Sequence, residues 1–356
     1  MKRTKLNLPP ESVIYTGDYP NNMTQIQVFA YDSEHMAYDE FTDIDFESEL
    51  AELLDSDKNI WINVIGLNQV ETIISLGELL GLSPLAIEDI VHVAQRSKIE
   101  INAPYLFTIL KMVYRSKDRL GNFAGEIVHE HLSIVLTDRA VITFQEKDDD
   151  VFDFIRQRLK QGNGRLKSSG ADYLYYAIID ALVDHQLEIL TGMGDLIDAY
   201  DQNILEDEKL ELDQLFKLRK QILLMRASVM PFKDILIELN GQQTNEWISS
   251  EVKVFLKDVS DHVNHVNDLV ALYREMVNNI YEMNMMNTSN QLNQVMSILT
   301  IFSAIFIPLN FMTGFFGMNF KYFPGLESTL GIPVFLATAF LIFVGMILFF
   351  KKKKWF

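Results

Sequence analysis

The sequence predicts an α+β cytosolic domain, built on a mixed α/β sheet with helices, followed by a long stalk helix that continues into the first of two transmembrane helices. Three observations predict it. Strand-like runs are confined to residues 23–145, no strand candidate follows residue 170, and two stretches near the end, 295–318 and 328–350, are apolar and free of charge.

The 356 residues leave room for two ordinary domains and a core that needs no disulfides. The absence of cysteine excludes thiolate catalysis and cysteine-ligated zinc or iron–sulfur sites, and fits a reducing compartment. The net charge of −18 is unevenly placed: from residue 292 onward the balance is +4, so residues 1–291 carry −22. That portion repels nucleic acid and attracts cations. "MKRTKLNLPPESV" has basic residues but no apolar run behind them, so no secretory signal is expected and the amino terminus is placed in the cytosol.

In chain order, 23–32, 60–67, 105–114 and 127–145 are rich in Ile, Val, Phe and Tyr and read as strands, the last broken by a turn at Asp138–Arg139. "ETIISLGELLGLSPLAIEDIVH" between them has helical spacing, and "GNGRLKSSG" at 162–170 reads as a linker. Residues 171–200 and 208–240 form two helical stretches joined through acidic residues 206–208, with Pro231 expected to kink the second. From Asn245 the helical pattern persists for about 70 residues, a rod on the order of 100 Å. Val252, Leu256, Val259, Val263, Val266, Val270, Val277 and Ile280 form its apolar stripe, expected to pack on the preceding helices.

Each charge-free stretch is long enough to cross a hydrocarbon core of about 30 Å. The short segment between them forces a hairpin, and "KKKKWF" after the second marks the cytosolic side. Both termini are therefore expected inside. The resulting division is 1–165 α/β domain, 166–244 helical hairpin, 245–318 stalk and first span (membrane part about 295–318), 319–331 outer loop, 332–350 second span and 351–356 basic tail.

The first span has two faces. Steps of three and four from Asn293 give Met296, Thr300, Ser303, Ile307, Asn310 and Gly314, whereas Val295, Ile298, Phe302, Ile305, Leu309, Met312 and Phe316 are wholly apolar. Unpaired polar groups in hydrocarbon are costly, so several copies are expected to turn the polar stripe inward. The alternative is that Ser, Thr and Asn hold helices together. The stripe's continuation through Ser289, Met286, Glu282, Asn279 and Glu275 favours a pore, because a ring of Glu282 at the inner end would concentrate cations. Asn319, in "TGFFGMNF", would then place neutral carbonyl acceptors at the outer mouth. They can bind the water around Mg²⁺, an ion that dehydrates reluctantly, without holding it as tightly as carboxylates would.

Gly317-Met318-Asn319 between two spans, with "KKKKWF" at the end, resembles the CorA family of magnesium and cobalt channels. The resemblance extends through "SPLAIEDIVHVAQRSKIE", "YLFTIL", "AIIDALVD" and "MPFKDIL". It implies a funnel-shaped homopentamer in the cell (inner) membrane, with the selectivity filter at Gly317, Met318 and Asn319. It also implies passage of Mg²⁺, with Co²⁺ or Ni²⁺ tolerated, and a regulatory metal site between subunits at Asp89 and Asp258, with a second ion near Glu88 and Asp180. Two departures stand out. The loop "KYFPGLESTLG" has Lys321 beside the mouth and Glu327 as its single acid, and the second constricting position is Ile307 where methionine is frequent.

Other patterns remain open at this level. Asp258/His262 and Asp261/His265 stand at i,i+4 and suit either a transition metal or solvated packing. His129-Glu130-His131 puts two imidazoles on one strand face without an evident third ligand. No nucleotide-binding or hydrolase motif is present, so no enzyme is expected. The alternatives are a zinc transporter of the same superfamily and a membrane-tethered binding or scaffold protein.

Overall fold

The structure is a computed structural model. It describes residues 13–32, 34–41, 46–116, 126–161, 165–205, 212–244, 246–318, 321, 328–353 and 355. Asn319, Glu327, the acidic residues 206–208, residues 162–164 and the basic start of the chain lie outside the described residues. The chain divides into two compact units, Met1–Asn278 and Asn279–Phe356.

In the first unit, seven strands form one sheet in the order β2-β1-β3-β7-β6-β5-β4. They are β1 (Gln25–Tyr31), β2 (Met36–Phe41), β3 (Asn59–Ile65), β4 (Lys98–Asn102), β5 (Tyr105–Arg115), β6 (Ile127–Leu136) and β7 (Ala140–Gln145). β3 and β7 pair in parallel, and every other neighbouring pair is antiparallel. Central strands are buried on both faces, and "NIWINVI" and "AVITFQ" are accordingly almost continuously apolar. Their few polar side chains bond one another: Trp61 Nε1 donates to Thr143 Oγ1 (3.0 Å), whose hydroxyl donates to Asn63 Oδ1 (2.7 Å). All four expected strands are present. The sequence reading missed the edge strands β2 and β4 and the short helices α1 (Phe46–Leu54) and α4 (Asp153–Gln161). "MAYDEF" and "KIEIN" carry charge where central strands carry Val and Ile, as edges that resist mispairing do.

The single expected helical segment after β3 is two helices, α2 (Val70–Leu79) and α3 (Pro84–Val91). Gly81, at φ +68°, ends α2 in a left-handed conformation that favours glycine. Ser83 then caps α3 by accepting the Ala86 N–H (3.2 Å), with Pro84 in the first turn. Ile73, Leu76, Ala86, Ile87 and Ile90 pack with Val28, Ile62, Ile142 and Phe144 in one core. Helices α5 (Ala171–Leu205) and α6 (Leu212–Leu239) lie against β4, β5, β6 and β7. There the Thr108 and Tyr175 hydroxyls meet at 2.6 Å and His129 Nδ1 meets Ser228 Oγ at 2.9 Å. α6 runs through Pro231 without interruption.

The long helix, α7, spans Ser250–Phe316, 67 residues. It starts five residues later than expected because Thr244 closes a turn onto the Leu239 carbonyl and Ser249 caps the helix through the Val252 N–H. All eight residues of the predicted stripe, Val252 to Ile280, are buried. Within the first unit Phe255 stacks on Tyr176 of α5 (5.3 Å between ring centroids). Among the described residues, α7 and α8 (Gly331–Lys352) are the two helices long and apolar enough to cross a membrane.

Candidate ion pathway and metal sites

The two membrane helices touch along one face of α7. Ile301 and Ile305 are buried with Phe350 of α8 in a cluster joined by Ala304, Leu309, Met346 and Ile347, and Phe316 meets Phe335 edge-on at 5.2 Å. At 100° per residue, the α7 members of that cluster centre about 150° away from the centre of the polar stripe. The second span therefore leaves the stripe uncovered. Asn293, Met296, Thr300, Ile307, Asn310 and Gly314 are all exposed, and Ser303 is half-buried. The Thr300 hydroxyl donates to the Met296 carbonyl (2.7 Å), so this group is satisfied within its own helix. The sequence reading passed over Pro308. Inside α7 it removes an N–H and leaves the Ala304 carbonyl without its helical donor, nearly two turns before the stripe ends at Gly314. The helix ends at Phe316, and Gly317 and Met318 follow it exposed, with Gly317 N–H donating to the Thr313 carbonyl (2.9 Å). Glu282 is exposed on the same helix.

In the first unit the acidic candidates fall into two groups. α3 carries Glu88 and Asp89, and Asp89 is only 9% exposed. Its two oxygens are both engaged: Gln95 Nε2 donates to Oδ1 (2.7 Å) and Lys98 Nζ to Oδ2 (2.5 Å). The second group joins α5 to α7. Asp180, Asp184 and His262 hold their potential ligand atoms within 4.8 Å of one another. Burial raises the Asp180 carboxyl above its usual range, and the neighbouring Asp184 charge adds to this, while the Tyr176 hydroxyl donates to it (3.3 Å). A cation there would relieve two carboxylates crowded together. Two oxygens and one imidazole nitrogen form a donor set that suits Co²⁺, Ni²⁺ or Zn²⁺ better than Mg²⁺.

Two of the residues read from the sequence, Asp180 and His262, thus find new company. Asp180 is brought to His262 and Asp184, and Asp258, exposed on α7, stands outside that group. Asp184 was missed, although it ends the quoted "AIIDALVD", four residues after Asp180 and so on the same helix face. His265 and Asp261 are exposed and belong to no cluster of three among the described residues. His131 is buried in the core and His129 is half-buried beside it. Burial pushes His129 down to about 4 and His131 well below its usual value, which keeps both neutral, and His131 Nε2 bonds the Ser133 hydroxyl (2.9 Å).

The family description "CorA-like Mg2+ transporter protein" matches residues 56–352. The chain belongs to that family. It is 37% identical to the cobalt/magnesium transport protein CorA of Thermotoga maritima over 99% of this chain and 97% of that protein. Zinc transport protein ZntB of Pectobacterium atrosepticum is more distant, at 23% identity over 62% of this chain and 67% of that one. The fold matches the complete CorA magnesium transporter of Methanocaldococcus jannaschii with a TM-score of 0.74 at 19% identity, covering 92% of this chain and 98% of that one. As a member of the CorA family, the protein is a divalent cation transporter of membranes and not an enzyme. Membership sets aside the tethered-scaffold alternative.

Proposed function

We propose that five copies surround a pore lined by the polar stripe of α7 and conduct hydrated Mg²⁺, with Co²⁺ and Ni²⁺ accepted, into the cytosol across the cell (inner) membrane. The observation that carries this reading is the bare stripe. α8 packs on the opposite face of α7, so the second span cannot shield Ser303 and Asn310 from lipid, and neighbouring copies of the same helix have to do so. Gly317, Met318 and Asn319 close the outer end as the filter, Met296 and Ile307 constrict the path by excluding water, and Glu282 collects ions at the inner end. Both termini lie in the cytosol, as the lysines at 351–354 favour. The membrane potential supplies the drive: a divalent ion gains about 4.6 kcal/mol per 100 mV.

Closure follows from metal bound in the cytosol. Asp89 and a neighbouring copy's Asp258 hold a regulatory Mg²⁺, with Glu88 and Asp180 serving a second ion nearby. All four offer carboxylate oxygens, the donors Mg²⁺ prefers. With the ions in place, carboxylates that repel one another are screened and the copies stay together. When internal Mg²⁺ falls, repulsion loosens them and the path opens. In liposomes loaded with a Mg²⁺-sensitive dye, the Asp89→Asn/Asp258→Asn protein is expected to conduct at internal Mg²⁺ concentrations that silence the parent. Retained inhibition would remove these residues from the gate.

A second reading, zinc transport, is favoured by the imidazole of His262 beside Asp180 and Asp184. The Gly317-Met318-Asn319 filter and the greater distance of the zinc transporters weigh against it. Zn²⁺ flux in the same liposomes, compared with Mg²⁺ flux, decides between the two.

A further inference from the structure

Asp89 does not face its neighbours as a bare carboxylate. Lys98, the first residue of edge strand β4, puts its ammonium on Oδ2, while Gln95 takes Oδ1. A metal ion approaching Asp89 meets two different obstacles. The Gln95 amide is a neutral donor and can stay on one oxygen while the other binds a cation. The Lys98 ammonium is a positive charge on the oxygen the ion needs, and at metal-ligand distance the two cannot share it.

The same structure supplies a place for the ammonium to go. Lys98 Nζ also bonds Glu100 Oε1. Lys98 and Glu100 are two residues apart on β4 and so share a face of the strand. The Asp89 side chain is 13% exposed, whereas Lys98 and Glu100 are 31% and 32% exposed. The deep carboxylate therefore has a shallow rival, joined to it by one flexible lysine stem. Withdrawal of Lys98 from Asp89 leaves no ammonium unpaired and needs no backbone movement.

We propose that Lys98 is a tethered competitor for the ion at Asp89: it neutralises the carboxylate when the ion is absent, shifts onto Glu100 when the ion binds, and thereby sets the metal concentration at which the site fills. This rests on the assignment of Asp89 as a regulatory ligand and adds to it a residue that tunes the threshold. Two consequences follow from the exchange. Filling the site displaces one positive charge as it brings in two. Because the competitor is the same for every ion, removing it shifts the thresholds for Mg²⁺ and Co²⁺ by a similar factor.

The test uses the purified full-length protein in detergent and reads the Mg²⁺ concentration that half-protects it from chymotrypsin, a protease indifferent to the loss of a lysine. Lys98→Met is expected to lower that midpoint about three- to fivefold, the weight of one partly exposed ion pair, and to do the same with Co²⁺. Glu100→Gln, which strips Lys98 of its alternative partner, is expected to raise it, and Lys98→Arg to leave it near the parent value. An unchanged or higher midpoint in Lys98→Met overturns the proposal. Should that variant not purify as the parent does, Glu100→Gln decides, and an unchanged or lower midpoint there overturns it equally. Asp89→Asn separates the two layers. If it keeps the parent midpoint, the ligand assignment itself is wrong. If it abolishes protection while Lys98→Met moves nothing, only the competition is wrong.

Discussion

Asn319→Ala is expected to reduce Mg²⁺ entry into liposomes by on the order of a hundredfold or more while leaving the protein's assembly, read by size-exclusion chromatography, as in the parent. One substitution removes a carboxamide from every copy around the axis. Each loses a hydrogen bond of about 0.5–1.5 kcal/mol to the water shell of the ion, and the losses fall together on the same passing ion. Within the filter, a divalent ion that must keep its water finds no other ring of strong side-chain acceptors to replace them, because Gly317 has no side chain and Met318 offers a thioether, a weak acceptor. Asn319→Asp is the informative companion. A ring of carboxylates at the same place binds the ion more tightly, and slower release lowers flux by a different route, with the half-saturating Mg²⁺ concentration falling as well. Mg²⁺ flux through Asn319→Ala at the parent rate would defeat the filter assignment.

The second large effect is expected from Ser303→Leu/Asn310→Leu. Both positions lie on the stripe that α8 leaves bare, seven residues apart and therefore nearly in line. Leucine at both replaces two rings of hydrogen-bonding groups with a hydrophobic sleeve two turns long, which empties of water and stops ions. Flux is expected to fall to the level of protein-free liposomes. Assembly is expected to survive, because exchanging polar for apolar side chains in a membrane segment removes a burial cost and adds none. If the stripe served only to hold helices together, the same pair would weaken assembly and spare conduction in whatever remained assembled.

Much of this architecture was legible in the residues. β3 and β7, buried on both faces, are dominated by Ile, Val, Phe and Trp with few polar residues between them, and the eight-residue stripe from Val252 to Ile280 is buried throughout, so apolar density alone located them. β2 and β4 escaped notice for the complementary reason. An edge strand has one partner and one open side, and its Asp, Glu and Lys blunt the pattern that identifies a strand. Separating α2 from α3 needed the conformation of Gly81, which a helical periodicity running across it concealed.

The site was less legible, and for a different reason. Its residues lie far apart in the chain, so spacing cannot say which of them meet. Asp184 stood in view four residues after Asp180, yet only the arrival of His262 from α7 makes the pair a metal-capable group. The hold of Lys98 on Asp89 depends on the sheet's outermost strand running beside the end of α3. The polar stripe was readable from the first span, but the face covered by α8 was not, because α8 is apolar all round and presents no preferred side.

The absence of cysteine permits a direct test of the claim on which this account depends, that the stripe of α7 borders water. Single cysteines placed by Ser303→Cys and Asn310→Cys, and for comparison by Phe302→Cys and Leu309→Cys on the other face, can be exposed to a membrane-impermeant, water-soluble thiol reagent in open channels. The account predicts rapid labelling at 303 and 310, slowed by bound Mg²⁺, and little at 302 and 309. Labelling at 302 and 309 with 303 and 310 silent would mean that the polar stripe borders no water, and the pore would have to be sought elsewhere.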